Sequence, residues 1–295
     1  MKNFLLLSAL FAVQATPAQE RFVSHDLEGY YDWFHEQSQV ADHYEPNTTL
    51  HTFTAETKVH EGPCRDAEVV TTLPMAFPVT NLSYDDNYFL PEDEINGYGD
   101  FWYQVTGRDA NGKPFRGYVW GADIAKSYAR TDLNKDQTPE YLLLGISTHE
   151  RKQPRDINGE LRLVQDGKLL TASTVPGLCL FEDCASSSLL RVINTPQGFP
   201  VIEASTMTVG CWAGIEKAFF FYDGANFNRV YQAEYTTDHE IASESFIVNQ
   251  GASAQVCQYS HEGKDYAPVW KCHPLESGND RVEMVMEPSA HARVK

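Results

Sequence analysis

Between Thr49 and Lys126 apolar and polar positions alternate over short runs, the period of half-buried strands rather than of helices. Leu50-His51-Thr52-Phe53-Thr54 alternates, Glu61-Gly62-Pro63 marks a turn, and Glu68-Val69-Val70-Thr71-Thr72-Leu73-Pro74 reads as a strand ended by proline. Pro78-Val79-Thr80-Asn81-Leu82 follows as another strand, and an acidic stretch from Asp85 to Asp100 reads as a loop ahead of the strand Phe101-Trp102-Tyr103-Gln104-Val105. Asp109-Ala110-Asn111-Gly112-Lys113 is a hairpin turn, because Asn-Gly readily takes the positive φ such turns demand, and Phe115-Arg116-Gly117-Tyr118-Val119-Trp120-Gly121 is the returning strand. Strands this short at this spacing predict a small, closed or nearly closed β-barrel.

Beyond Tyr128 the chain stays β-rich. Tyr141 to Leu144, Leu161 to Val164, Leu189 to Ile193 and Ala218 to Tyr222 are strand candidates, with Asp166-Gly167-Lys168 and Asp223-Gly224-Ala225-Asn226 as turns. The predicted class is therefore mainly β. Residues 49–126 form the barrel, 127–276 a second β-rich domain, and 277–295 a tail with few apolar residues that frays. Ahead of the barrel, 19–48 is acidic and aromatic without a helical period, which reads as an arm packed on a neighbouring module.

The start of the chain has a different pattern. Lys2 precedes the apolar run Phe4 to Val13, with small residues at Ala15 and Ala18, the layout of a secretory signal peptide over 1–18. That run is shorter than the ~20 residues a membrane span needs, and no later stretch is long and apolar enough to span. The expected location is periplasmic or secreted. Against 23 Lys and Arg the chain carries 41 Asp and Glu, a net charge of −18, which repels nucleic-acid phosphate and argues against a nucleic-acid partner. Six cysteines in an exported chain are disulfide candidates, with Cys179 and Cys184, and Cys257 and Cys272, as the local pairs.

Lys58-Val59-His60-Glu61-Gly62-Pro63, then Glu68 to Leu73, then Trp102-Tyr103-Gln104-Val105, then Gly117-Tyr118-Val119-Trp120 resemble, in order and spacing, the bacterial SH3 (SH3b) domain. The resemblance covers about a quarter of the chain and implies an SH3-like barrel. Gly210-Cys211-Trp212, Phe221-Tyr222-Asp223-Gly224 and Asp238-His239-Glu240-Ile241 loosely resemble the C-terminal part of uncharacterised exported bacterial proteins that carry such domains.

Two groups of residues are candidate sites. Asp132-Leu133-Asn134-Lys135-Asp136-Gln137-Thr138-Pro139-Glu140 places oxygen side chains of Asp132, Asn134, Asp136 and Glu140 at alternating or fourth positions, with the Thr138 carbonyl between them. That set can surround one Ca²⁺. It resembles the loop of FG-GAP-type β-repeats, with Gln137 where glycine makes the turn; the alternative is a plain acidic turn held by Asx bonds. Trp102, Tyr103, Tyr118 and Trp120 lie on two strands expected to be adjacent and can form an aromatic ligand-binding face. Strand alternation points some of these rings inward and leaves Tyr103 and Tyr118 as the surface pair.

Catalytic signatures are incomplete. There is no His-Glu-x-x-His and no Gly-x-Ser-x-Gly. Cys211, with His239 and His261 downstream, is the one nucleophile candidate. The expectation is an exported, non-catalytic binding protein whose barrel engages cell-wall peptidoglycan (glycan or peptide) or another envelope protein. An envelope hydrolase with an atypical site around Cys211 is the alternative.

Overall fold

The computed structural model describes residues 39–40, 44–83, 90–95, 98–147, 159–175, 187–194, 200–208, 214–234, 243–250, 253–262 and 267–274. The protein is mainly β, as the alternation predicts. After a two-residue strand β1 (Gln39–Val40) comes a sheet built from β2 (Thr49–His51), β3 (Thr57–His60), β4 (Val69–Leu73), β5 (Pro78–Asn81), β6 (Glu92–Ile95), β7 (Tyr98–Arg108) and β8 (Pro114–Trp120). Its order is β2-β5-β7-β8-β3-β4, with β6 also on β7. The sheet curls into a half-barrel. A 3₁₀ turn over Gly121–Asp123 carries the chain from β8 back to β2, where Thr52 bridges Ile124, Phe53 N–H donates to the Asp123 carbonyl and Ala125 N–H donates to that of His51.

The acidic stretch before Trp102 is not all loop. Residues Glu92–Ile95 pair with Phe101–Tyr98 as β6, their side chains alternating between exposed and half-buried so that Glu92 and Glu94 stay in water. The Asp109–Lys113 turn forms as expected, with Gly112 at φ 77° and the Asp109 carboxylate accepting from the N–H groups of Asn111 and Lys113.

Two further sheets follow. β9 (Ser127–Thr131), β10 (Glu140–Ile146), β11 (Gly159–Gln165) and β12 (Lys168–Val175) form an antiparallel meander. Asp166 and Gly167 close β11 onto β12 with both φ positive, as a two-residue hairpin requires. Then β13 (Ser187–Asn194), β14 (Pro200–Thr208), β15 (Gly214–Tyr222) and β16 (Phe227–Glu234) make a second meander, with β1 on its β13 edge. A three-stranded sheet of β17 (Ser243–Gln250), β18 (Ser253–Glu262) and β19 (Ala267–Pro274) completes the described strands. Among the described residues no helix is long and apolar enough to cross a membrane.

Burial explains how the first sheet is held. Leu50, Val59, Leu73, Val79, Tyr103, Val105, Phe115, Val119 and Ile124 fill the concave side of the half-barrel. Trp102, Tyr98 and Trp120, on the opposite face of the same strands, join Leu142, Leu144, Leu161, Leu163, Leu190, Ile202 and Phe220 in one core shared with the two meanders. Both faces of β7 are thus covered. Gly145 permits a close approach at this junction: a Cβ there would meet the Phe53 ring at 2.7 Å. The junction also holds a buried ion pair, Lys126 Nζ to Asp100 Oδ2 at 2.7 Å.

Candidate functional site

The aromatic residues singled out in the sequence do not form a surface. Trp102 and Trp120 face each other across the β7–β8 register, yet both are buried, at 2% and 4% exposure, because the following meanders cover that side of the sheet. Tyr103 points the other way and is fully buried in the half-barrel, with the Tyr44 ring edge-on at 4.8 Å. This corrects the expectation that Tyr103 pairs with Tyr118 at the surface. Tyr118 is half-buried at the margin of the shared core, its hydroxyl accepting from Gln104 Nε2 at 3.2 Å. The register puts Tyr118 on the same face as Trp102 and Trp120 and Tyr103 on the other, so the two tyrosines do not share a face, and nothing local to β7 and β8 says that both faces are covered.

What the first sheet leaves in water is its far edge. β4 ends the strand order, and among the described residues no strand pairs with its outer side. The pairing of β3 with β4 slips between Val59 and His60: Val59 faces Thr71 and His60 faces Val69, so Val70 is the extra residue of a bulge. The bulge is why two consecutive valines, Val69 and Val70, are both exposed at 41%, where regular alternation would bury one. Sheet edges are usually guarded by Lys, Pro or a bulge; Val69-Val70-Thr71-Thr72-Leu73 has neither Lys nor Pro and carries the bulge at Val70. Lys58 on β3 and Arg116 on β8 are exposed on neighbouring strands.

The second feature is the β9–β10 turn. Asp132 accepts through Oδ1 from Asp136 N–H and through Oδ2 from Gln137 N–H, while Asn134 Oδ1 also accepts from Asp136 N–H. Asp136 Oδ1 accepts from Thr138 N–H at 2.7 Å, and Oδ2 accepts from Asn134 Nδ2 and Gln165 Nε2, each at 3.1 Å. The Gln165 amide, then the Thr138 N–H, pull the Asp136 pKa below its ordinary value. Lys135 and Gln137 take φ of 62° and 72°, and Leu133 is buried in the shared core, pinning the turn. Glu140, the first residue of β10, is fully buried. Its Oε2 accepts from Leu133 N–H at 2.9 Å, and its Oε1 has no hydrogen-bond partner. One carboxylate oxygen from each of Asp132, Asp136 and Glu140 lies within 4.8 Å of the others. Of the residues the spacing singled out, the fold brings the carboxylates of Asp132, Asp136 and Glu140 together, and Gln165, which lies outside that run, reaches in from β11.

The nucleophile candidate Cys211 and His239 lie outside the described residues, as do Cys179, Cys184 and the N-terminal 38 residues with the signal-like run. Cys64 is exposed and its thiol is free. Cys257 and Cys272 stand directly opposite each other in the β18–β19 register. Comparison with protein-family models, with curated proteins and with solved structures finds no match for this chain.

Proposed function

We propose that the chain is an exported, non-catalytic binding protein whose half-barrel is SH3-like and takes an apolar, extended segment of an envelope polypeptide against the β4 edge. The observation that carries the reading is the pair of exposed valines, Val69 and Val70, on an edge strand whose outer side no described strand pairs. An edge strand offers unpaired main-chain groups as a template for another strand, and alternate side chains of the incoming segment find the apolar knob. A polypeptide suits this surface better than a glycan. Sugar stacking needs an exposed ring, and Trp102, Tyr103 and Trp120 are all buried.

The test compares wild type with a Val69→Lys, Val70→Lys double variant, both as immobilised full-length protein and as soluble protein mixed with purified peptidoglycan. The reading expects a discrete envelope polypeptide on wild type that is lost from the variant, and no sedimentation with peptidoglycan. Equal retention of both proteins by peptidoglycan would instead assign a wall-binding role to another surface. Export also favours a disulfide between Cys257 and Cys272: directly opposed residues of an antiparallel pair have Cα atoms roughly 4.5–5.5 Å apart, inside the disulfide range. Non-reducing peptide mapping of the exported protein detects it.

A further inference from the structure

A fully buried carboxylate oxygen without a donor is a costly thing to leave in a protein interior, and Glu140 Oε1 is one. It belongs to the residue that closes the turn on which Asp132 and Asp136 also converge. Three carboxyl groups held this close repel one another when ionised, and the N–H and amide donors around them reach both oxygens of Asp132 and of Asp136 and Oε2 of Glu140 without supplying a full positive charge. A hard divalent cation answers both needs at once.

We propose that the β9–β10 turn is a Ca²⁺ site, with Asp132, Asp136 and Glu140 as carboxylate ligands and Asn134 and the Thr138 carbonyl completing the protein's share of the coordination. The spread of the cluster favours the larger ion. Oxygens bound to one Ca²⁺ at roughly 2.3–2.6 Å can stand up to about 5 Å apart, whereas Mg²⁺ at roughly 2.0–2.1 Å allows about 4.2 Å. A spread of up to 4.8 Å is compatible with Ca²⁺ and wider than Mg²⁺ spans unless the ligands close in. Donors that are all oxygen suit a hard cation better than zinc, whose sites are built mainly on nitrogen and sulfur. Bound there, Ca²⁺ ties β9 to β10 and, through Leu133, to the core shared with the half-barrel. Gln165 positions Asp136 from β11 and needs no contact with the ion.

The experiment uses the full chain, stripped with a chelator and titrated with CaCl₂ by calorimetry, and in parallel melted with and without the ion. One Ca²⁺ is expected per chain, with a dissociation constant in the range of roughly 10⁻⁶ to 10⁻³ M, and MgCl₂ is expected to compete at least about 10-fold less well. Glu140→Gln keeps the shape and removes the buried charge, so binding is lost. Should that variant fail to fold, Asp136→Asn, at an exposed position, carries the test and is expected to weaken binding by about 10-fold or more. The rise in melting temperature with Ca²⁺ disappears in the same variant. Absence of saturable binding to wild type, or equal affinity in wild type and Asp136→Asn, overturns the site. Neither outcome bears on the β4 edge, which shares no residue with it.

Discussion

Replacing Asp100 with asparagine removes the carboxylate that neutralises Lys126 at the junction between the half-barrel and the following sheets. The two side chains are 4% and 1% exposed and 2.7 Å apart, so the ammonium left behind has no route to water. The Tyr44 ring, 5.7 Å from the nitrogen, offers a cation–π contact of about 0.5–2 kcal/mol, too little to replace a charge. Breaking one side of a buried pair costs about 3–5 kcal/mol. In a chain of this size each kcal/mol moves the melting temperature by roughly 2–4 °C, so Asp100→Asn is expected to melt roughly 6–20 °C lower. The pair itself need not stabilise relative to an apolar one, because both charges were taken from water. Asp100→Leu combined with Lys126→Met should therefore recover most of the loss. Thermal melts of wild type, each single variant and the double variant measure the coupling. A single-variant loss under about 1 kcal/mol, or a double variant as unstable as the two singles added together, would refute the reasoning.

Three further outcomes follow from the buried groups. His51 sits against the rings of Tyr128 and Tyr141 at 4.0 and 5.0 Å, its Nδ1 has no partner, and burial pulls its pKa down to about 4. The unfolded chain gains this proton before the folded one, so stability falls as pH drops from about 6.5 to about 4, and His51→Leu should flatten that part of a urea-midpoint profile. Asp123 behaves oppositely. Burial, against a hydrogen bond from Thr54, raises its pKa from 3.8 to about 6, so its contribution is fully present below about pH 4 and is lost as pH rises through 6. Asp123→Asn should remove that decline, worth up to about 3 kcal/mol. Finally, Tyr103→Ala should cost about 3–5 kcal/mol in denaturant melts and leave partner binding unchanged in the variant molecules that fold, while Tyr118→Ala costs less because its ring is half-buried.

The strands were legible because alternation is a local property. Leu161 to Val164 and Leu189 to Ile193 fall inside β11 and β13, and Asp109, Asp166 and Asp223 each start the turn that their chemistry predicts. The carboxylate turn was legible for the same reason, since all its ligating types lie within nine residues. What local pattern could not show is which faces meet. Trp102, Tyr103, Tyr118 and Trp120 read as a ligand-binding face with Tyr103 and Tyr118 outermost, until Leu142, Ile202 and Phe220, from strands much later in the chain, are found packed with Trp102 and Trp120, and Tyr103 is found inside the half-barrel. Glu92–Ile95 looked like loop because its acidic residues mask a short strand that pairs with the first four residues of β7. The exposure of Val69 and Val70 depends on a one-residue slip against β3, which no count of apolar residues reveals.

The most direct test of the proposed binding surface is a photo-crosslinking residue in place of Val70 in the full chain, illuminated in producing cells and compared with the same residue in place of Lys113, in the exposed hairpin turn. The account predicts a discrete protein adduct from position 70 that is absent from position 113 and disappears when Val69→Lys is added. No adduct at position 70, or one that survives Val69→Lys unchanged, would contradict the assignment of the β4 edge as the contact surface.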